Sequence, residues 1–157
     1  MAVLEEKPPN LNMYADLQGY NTNGGTVPAD ILCTLERPHL VLVERKTKTI
    51  FLLELTCSFE SNIEAANSRK TLKHQDLKTD LEGQGYSVIL LPFEVGSRGQ
   101  VTKRNRTALE NIFKTNRIQI KSGNLFKNMS KVAMLCSFSI FHARDQPTWQ
   151  APPYLSP

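Results

Sequence analysis

The chain has 157 residues, is 40% hydrophobic and 22% charged, and carries a formal net charge of +4 with a pI near 9.0. That suits one globular domain with a sizeable core, and the basic balance mildly favours a polyanionic partner. Three cysteines, Cys33, Cys57 and Cys136, an odd number without C-x-x-C spacing, indicate neither a disulfide framework nor a zinc knuckle, and a reducing compartment is the simpler reading.

In chain order, residues 1–12 read as a flexible lead-in, 13–143 as the folded domain and 144–157 as a proline-rich tail that Trp149 and Tyr154 pin to the surface. Glu5, Glu6, Lys7 and the Pro8–Pro9 pair occupy the place of a signal sequence's apolar core, so no such segment is expected. Met13–Leu17 predicts a short strand, Asn21–Gly25 a turn, and Val27–Thr34 a further strand that Pro28 limits to an edge. His39–Glu44 and Thr49–Cys57 are rich in β-branched and aliphatic residues and flank the polar Arg45–Lys48, which predicts a hairpin.

Ser61 to Glu64 matches a capping box, and Gly83 or Gly85 is a natural stop, so one long helix is expected between them. Ile63, Ala66, Leu77 and Leu81 share its apolar stripe, and Lys70 and His74 fall inside that stripe. Tyr86–Pro92 reads as a covered strand parallel to Thr49–Cys57 through a right-handed crossover. Glu94–Gln100 reads as a flexible loop. Thr102–Asn116 predicts a helix with Ala108, Leu109, Ile112 and Phe113 inward, and Ser122–Ala143 a last helix with Leu125, Met129, Val132, Ala133, Cys136 and Ile140 in the core. The longest apolar run, Val132–Phe141, is about half of what a bilayer needs, so no membrane partner is expected.

A turn of two or four residues in the hairpin places His39 directly opposite Glu54, with Thr56 on the same face. Glu54 is the one acid in the apolar run Ile50–Leu55, and a buried carboxylate requires a paired charge or a cation. The helix that follows would bring Lys70 and His74 over it. Lys73 and Lys78 lie on the helix flanks, where a polyanion could reach them. Arg98, between two residues of a glycine-rich loop, and the basic turn of Lys103, Arg104 and Arg106 are further candidates for phosphate contact. Each of these also has a plainer reading as a solvated charge.

The order R-P-x-L-V-L-V, E-L-T with its acid fifteen residues after the x position, and a helix carrying K-x-x-x-H resembles the PD-(D/E)XK nuclease superfamily. The nearest likeness is to the restriction-like endonuclease domain at the C-terminal end of some non-LTR retrotransposon polyproteins. The strings L-L-E-L-T-C-S-F-E-x-N-I, E-V-G-S-R-G and P-T-W-Q-A-P-P extend the likeness from Tyr14 to about Pro153.

The resemblance implies an α/β fold with a central mixed β-sheet, a β-hairpin, a right-handed crossover helix to a parallel strand and two further C-terminal helices. It also implies metal-dependent hydrolysis of DNA phosphodiesters with Mg²⁺ or Mn²⁺, a nuclear location, and the rest of a longer retroelement polyprotein as partner. Glu54 would be the second metal carboxylate, with the Leu55 carbonyl as a further ligand. Lys70 would replace the motif lysine, whose position holds Thr56, and His74 stands where relatives commonly carry tyrosine. His39 occupies the place of the metal-binding aspartate, and imidazole shifts preference toward softer metals. Asp30 is a candidate substitute carboxylate. The loss at position 39 leaves an alternative expectation, a catalytically inactive nuclease-fold module for DNA binding or protein interaction.

Overall fold

The computed structural model describes residues 11–15, 27–119 and 121–143. The fold is α/β, a four-stranded mixed sheet with helices on both faces. The strands are β1 (Leu11–Ala15), β2 (Leu40–Glu44), β3 (Thr49–Ser58) and β4 (Ser87–Gly96), in the spatial order β1-β2-β3-β4. The first two pairings are antiparallel, and β3 pairs with β4 in parallel.

The hairpin turn is the four-residue one, Arg45–Lys48, and Glu44 pairs with Thr49. Lys48 closes the turn at φ 49°. Glu44 accepts the backbone N–H groups of Lys46 and Thr47, which supplies the turn with local hydrogen bonds. Alternation along β3 then divides the core. Phe51 and Leu53 face one side, with Phe93 and Val95 of β4, and pack under α3 (Lys103–Thr115) and α4 (Ser122–Ala143). Ile50 and Leu52 face the other, with Val41, Val43 and Val88, under Leu77 and Leu81. Each such fully covered aliphatic side chain contributes about 1.5–3 kcal/mol of burial.

Between β3 and β4 the chain makes a single 3₁₀ turn (Glu60–Asn62), then α1 (Ile63–Lys73) and α2 (Gln75–Gly83). The expected single helix is therefore broken at His74, whose backbone sits at φ −109°, ψ 17°. The capping box does not form: α1 starts two residues beyond Ser61, and its N-cap residue, Asn62, makes no side-chain capping hydrogen bond. Gly83 ends α2, and Gly85, at φ 82°, turns the chain into β4.

Three further expectations change. Val27–Thr34 is not a strand; Ile31 and Leu32 donate to the Pro28 carbonyl in a turn, and Val27 and Ile31 are anchored in the core beside Val41. Glu94–Gly96 belongs to β4 instead of a loop, and its Pro92 is tolerated because β4 is an edge strand. On α4 the packed residues are Leu125, Phe126, Met129 and Ala133, while Val132 and Ile140 are exposed. A helix of 22 residues is about 33 Å long and overruns a sheet four strands wide. Residues 16–26, with the expected turn at Asn21–Gly25, and the tail from 144 onward lie outside the described residues. Leu11, placed in the lead-in by sequence, is buried in β1.

Candidate functional site

The hairpin register extends one pair beyond β2, so His39 lies across from Glu54 on the face that carries Val41, Ile50 and Leu52. Glu54 is 1% exposed. Its carboxylate is met by four side-chain nitrogens. His39 Nδ1 stands 2.7 Å from Oε2, Lys70 Nζ 3.0 Å from Oε2, and Lys73 Nζ 3.4 Å from Oε1, while His74 Nε2 hydrogen-bonds Oε1. Lys70, His74 and Glu54, brought together by sequence pattern, thus share one pocket.

Burial is the largest single influence on the Glu54 carboxyl and pushes it up. Hydrogen bonds from His74 and Lys70, with the charges of His39 and Lys70, more than offset this and hold it below the usual glutamate range. The acid is ionised and fully satisfied by its neighbours.

His74 is buried, and its second nitrogen, Nδ1, lies 2.7 Å from Glu36 Oε2. The ring therefore spans two carboxylates, Glu36 on one nitrogen and Glu54 on the other. Glu36, in the loop before β2, was not singled out by sequence. It sits outside any periodic element, and no local signal marks it. His39 is 55% exposed at its side chain, and its Nδ1 also accepts the Leu55 N–H at 3.1 Å. One nitrogen serves either Leu55 with its lone pair or Glu54 with a proton.

Several candidates are placed differently from expectation. Asp30 does not reach Glu54; it is exposed and bound to Arg45 at 2.8 Å, and that hydrogen bond lowers its carboxyl. What Leu55 supplies to the site is its N–H, donated to His39. Lys73 belongs to the Glu54 cluster and is only half free for another anion. Lys78 faces Glu82 at 3.7 Å. Arg98 is tied down: its N–H and Nε donate to Glu60, and its guanidinium lies 5.3 Å from the Phe59 ring centroid. Arg106 lies over Phe126 and donates to the Val101 carbonyl. Lys103 and Arg104 are exposed in the first turn of α3, at one side of a cleft of about 400 Å³.

The donor set at Glu54 does not fit a divalent cation. Both Glu54 oxygens already face nitrogen donors, two of them ammonium groups, and a doubly charged ion would have to displace these against their repulsion. Position 39 offers an imidazole where a hard cation prefers oxygen. No described helix is long and apolar enough to cross a membrane. No protein-family model and no curated protein sequence matches this chain.

Proposed function

We propose that this chain is a DNA-binding domain of restriction-endonuclease-like architecture, whose acid site holds its own basic residues together and does not cleave the backbone it meets. The observation that carries this reading is the ring of His39, Lys70, Lys73 and His74 around the single carboxylate of Glu54. The ring carries more positive than negative charge, and Lys73 and His39 present its open side to solvent. Lys103 and Arg104 extend the basic surface, and phosphate contacts of this kind bind without reading sequence. On this reading the chain acts in the nucleus, beside the remainder of a longer retroelement polyprotein.

A second reading, a metal-dependent DNA endonuclease, is favoured by the Glu54–Lys70 contact at 3.0 Å, which is the acid and amine pair the resemblance implies. Two measurements separate them. Anisotropy of a labelled duplex across a salt series should show binding whose salt slope falls by about one for each of Lys103→Ala and Arg104→Ala. Supercoiled plasmid with Mg²⁺ or Mn²⁺ should stay intact, and His39→Asp is the variant in which cleavage would return. Nicking by the unaltered chain that Glu54→Gln abolishes would replace the first reading with the second. Absence of duplex binding at low salt would remove the first.

A further inference from the structure

A second carboxylate stands on the same face of the sheet as Glu54 and has none of its partners. Glu94 pairs with Thr56, one same-face step beyond the Glu54–Pro92 pair, so Glu54, Thr56 and Glu94 project to one side. Glu94 is 2% exposed. Asn105 Nδ2 donates to Glu94 Oε2 at 3.0 Å and to the Glu94 carbonyl at 2.9 Å, and Glu94 Oε1 has no partner.

Two more buried oxygens share that condition, Thr56 Oγ1 and Ser58 Oγ, and with Glu94 Oε1 they are all the buried unpartnered side-chain polar atoms among the described residues. They are not scattered. Thr56 is the direct strand partner of Glu94, and Ser58 is the next residue on that face of β3. Leaving a carboxylate oxygen buried without a donor or cation is costly, and gathering three such oxygens in one patch indicates a common occupant.

The cleft of about 400 Å³ has Glu94 in its lining, between Asn67 and Ser68 of α1 on one side and Thr102, the N-cap of α3, with Arg104 and Asn105 on the other; Thr56 and Ser58 flank Glu94 on the neighbouring strand. We propose that the patch is a site for a hard divalent cation, Mg²⁺ or Mn²⁺. Glu94 Oε1 is its anionic ligand, the Thr56 and Ser58 hydroxyls are neutral oxygen donors, and waters in the cleft complete the shell. The donors are oxygen only, as such ions require. Among the described residues no lysine or histidine forms an ion pair with Glu94, in contrast to Glu54. Arg104 and Glu64 are the charged side chains that also line the cleft, and they oppose each other in sign. The assignment stands whether or not the domain binds DNA.

Manganese titrated into the full chain and followed by its electron paramagnetic resonance should report one site with a dissociation constant below about 1 mM, the weak end of oxygen-ligated sites. Glu94→Gln preserves shape and an acceptor for Asn105, and should weaken binding at least about tenfold, since even outer-shell partners are worth that much. Thr56→Val should weaken it severalfold, and His39→Ala should leave it unchanged. A silent titration of the unaltered chain overturns the proposal and leaves the three oxygens to ordered water. So does a loss of affinity confined to His39→Ala, which would place the ion at Glu54. If Glu94→Gln does not give the native circular dichroism spectrum, Thr56→Val and Ser58→Ala decide, and unchanged affinity in both overturns the assignment.

Discussion

Glu36 and His74 are 38 positions apart in sequence, and Oε2 of one lies 2.7 Å from Nδ1 of the other. The contact closes a chain of charges from a surface loop, through a buried ring, to Glu54. Removing the Glu36 carboxylate leaves the buried His74 Nδ1 without its partner. We expect Glu36→Ala to cost about 1–3 kcal/mol in urea denaturation at neutral pH, and Glu36→Gln, which keeps an acceptor, to cost less. Equal stability of all three proteins would mean that the loop is not fastened through His74.

Removing the centre of the cluster should cost more than removing its edge. Glu54→Gln leaves two lysines and His74 crowded in a pocket without their counter-charge, and the expected loss is about 3–5 kcal/mol. Lys73→Met, at a side chain 53% exposed, should cost less than about 1 kcal/mol. Lys70, only 19% exposed, should fall between them. A Lys73 variant as damaging as Glu54→Gln would contradict the burial that ranks them.

The same carboxylate sets a dependence on pH. Burial pushes its pKa up, yet the hydrogen bonds and charges around it leave the folded value below the unfolded one. Its stabilising contribution is therefore complete above the ordinary glutamate value near 4.3 and is lost as pH falls through the lower, folded value. Glu60 shifts in the same direction: burial pushes it up, and the Arg98 N–H and guanidinium outweigh that. Comparison with Glu54→Gln isolates the Glu54 part. The stability gap between the two proteins should narrow as pH falls below about pH 4. A gap that does not change in acid would show that Glu54 titrates alike in both states.

How much of this was legible in the sequence differs by residue. The His39–Glu54 juxtaposition was readable because pairing in a hairpin follows from the turn length, and Arg45–Lys48 fixed that length. Lys70 and His74 were readable from helical periodicity, although the break at His74 was not: His74 lies on the stripe with or without a continuous helix, and the bend depends on tertiary contacts. Glu94 was missed for a different reason. It is an acid in an apolar run, as Glu54 is, and the argument used for Glu54 applies to it, but the neighbouring Gly96 and Gly99 suggested a loop and hid the strand. Asn105 followed Glu94 into obscurity, since a buried asparagine on α3 has meaning only through the carboxylate it holds. Glu36 had no local signal to find.

Two glycines give a contrasting pair. Gly99 lies at φ 86°, and a Cβ there would sit 2.8 Å from the Ser130 carbonyl oxygen of α4. Gly99→Ala is therefore strained in backbone and blocked by backbone, and should lower stability by about 1–3 kcal/mol. Gly83, at the end of α2 with nothing within 4 Å of its Cβ position, should accept alanine with a gain of up to about 1 kcal/mol. Thermal melts of the two variants should move in opposite directions.

The last helix offers the sharpest separation of packed from unpacked aromatics. Phe126 is buried, stacks on Phe93 at 6.5 Å between ring centroids, and lies beneath Arg106. Phe138, three turns further on, is exposed and touches His142 of its own helix at 4.2 Å. Sequence periodicity cannot tell them apart, because α4 is apolar along both its packed and its overrunning half. The sheet decides, by ending. We expect Phe126→Ala to cost about 3–5 kcal/mol and Phe138→Ala less than about 1 kcal/mol, measured as denaturant midpoints at unchanged slope. Comparable losses at the two positions would mean that the far half of α4 is covered by protein in solution, and its exposed Val132, Ile140 and Phe141 would then be core.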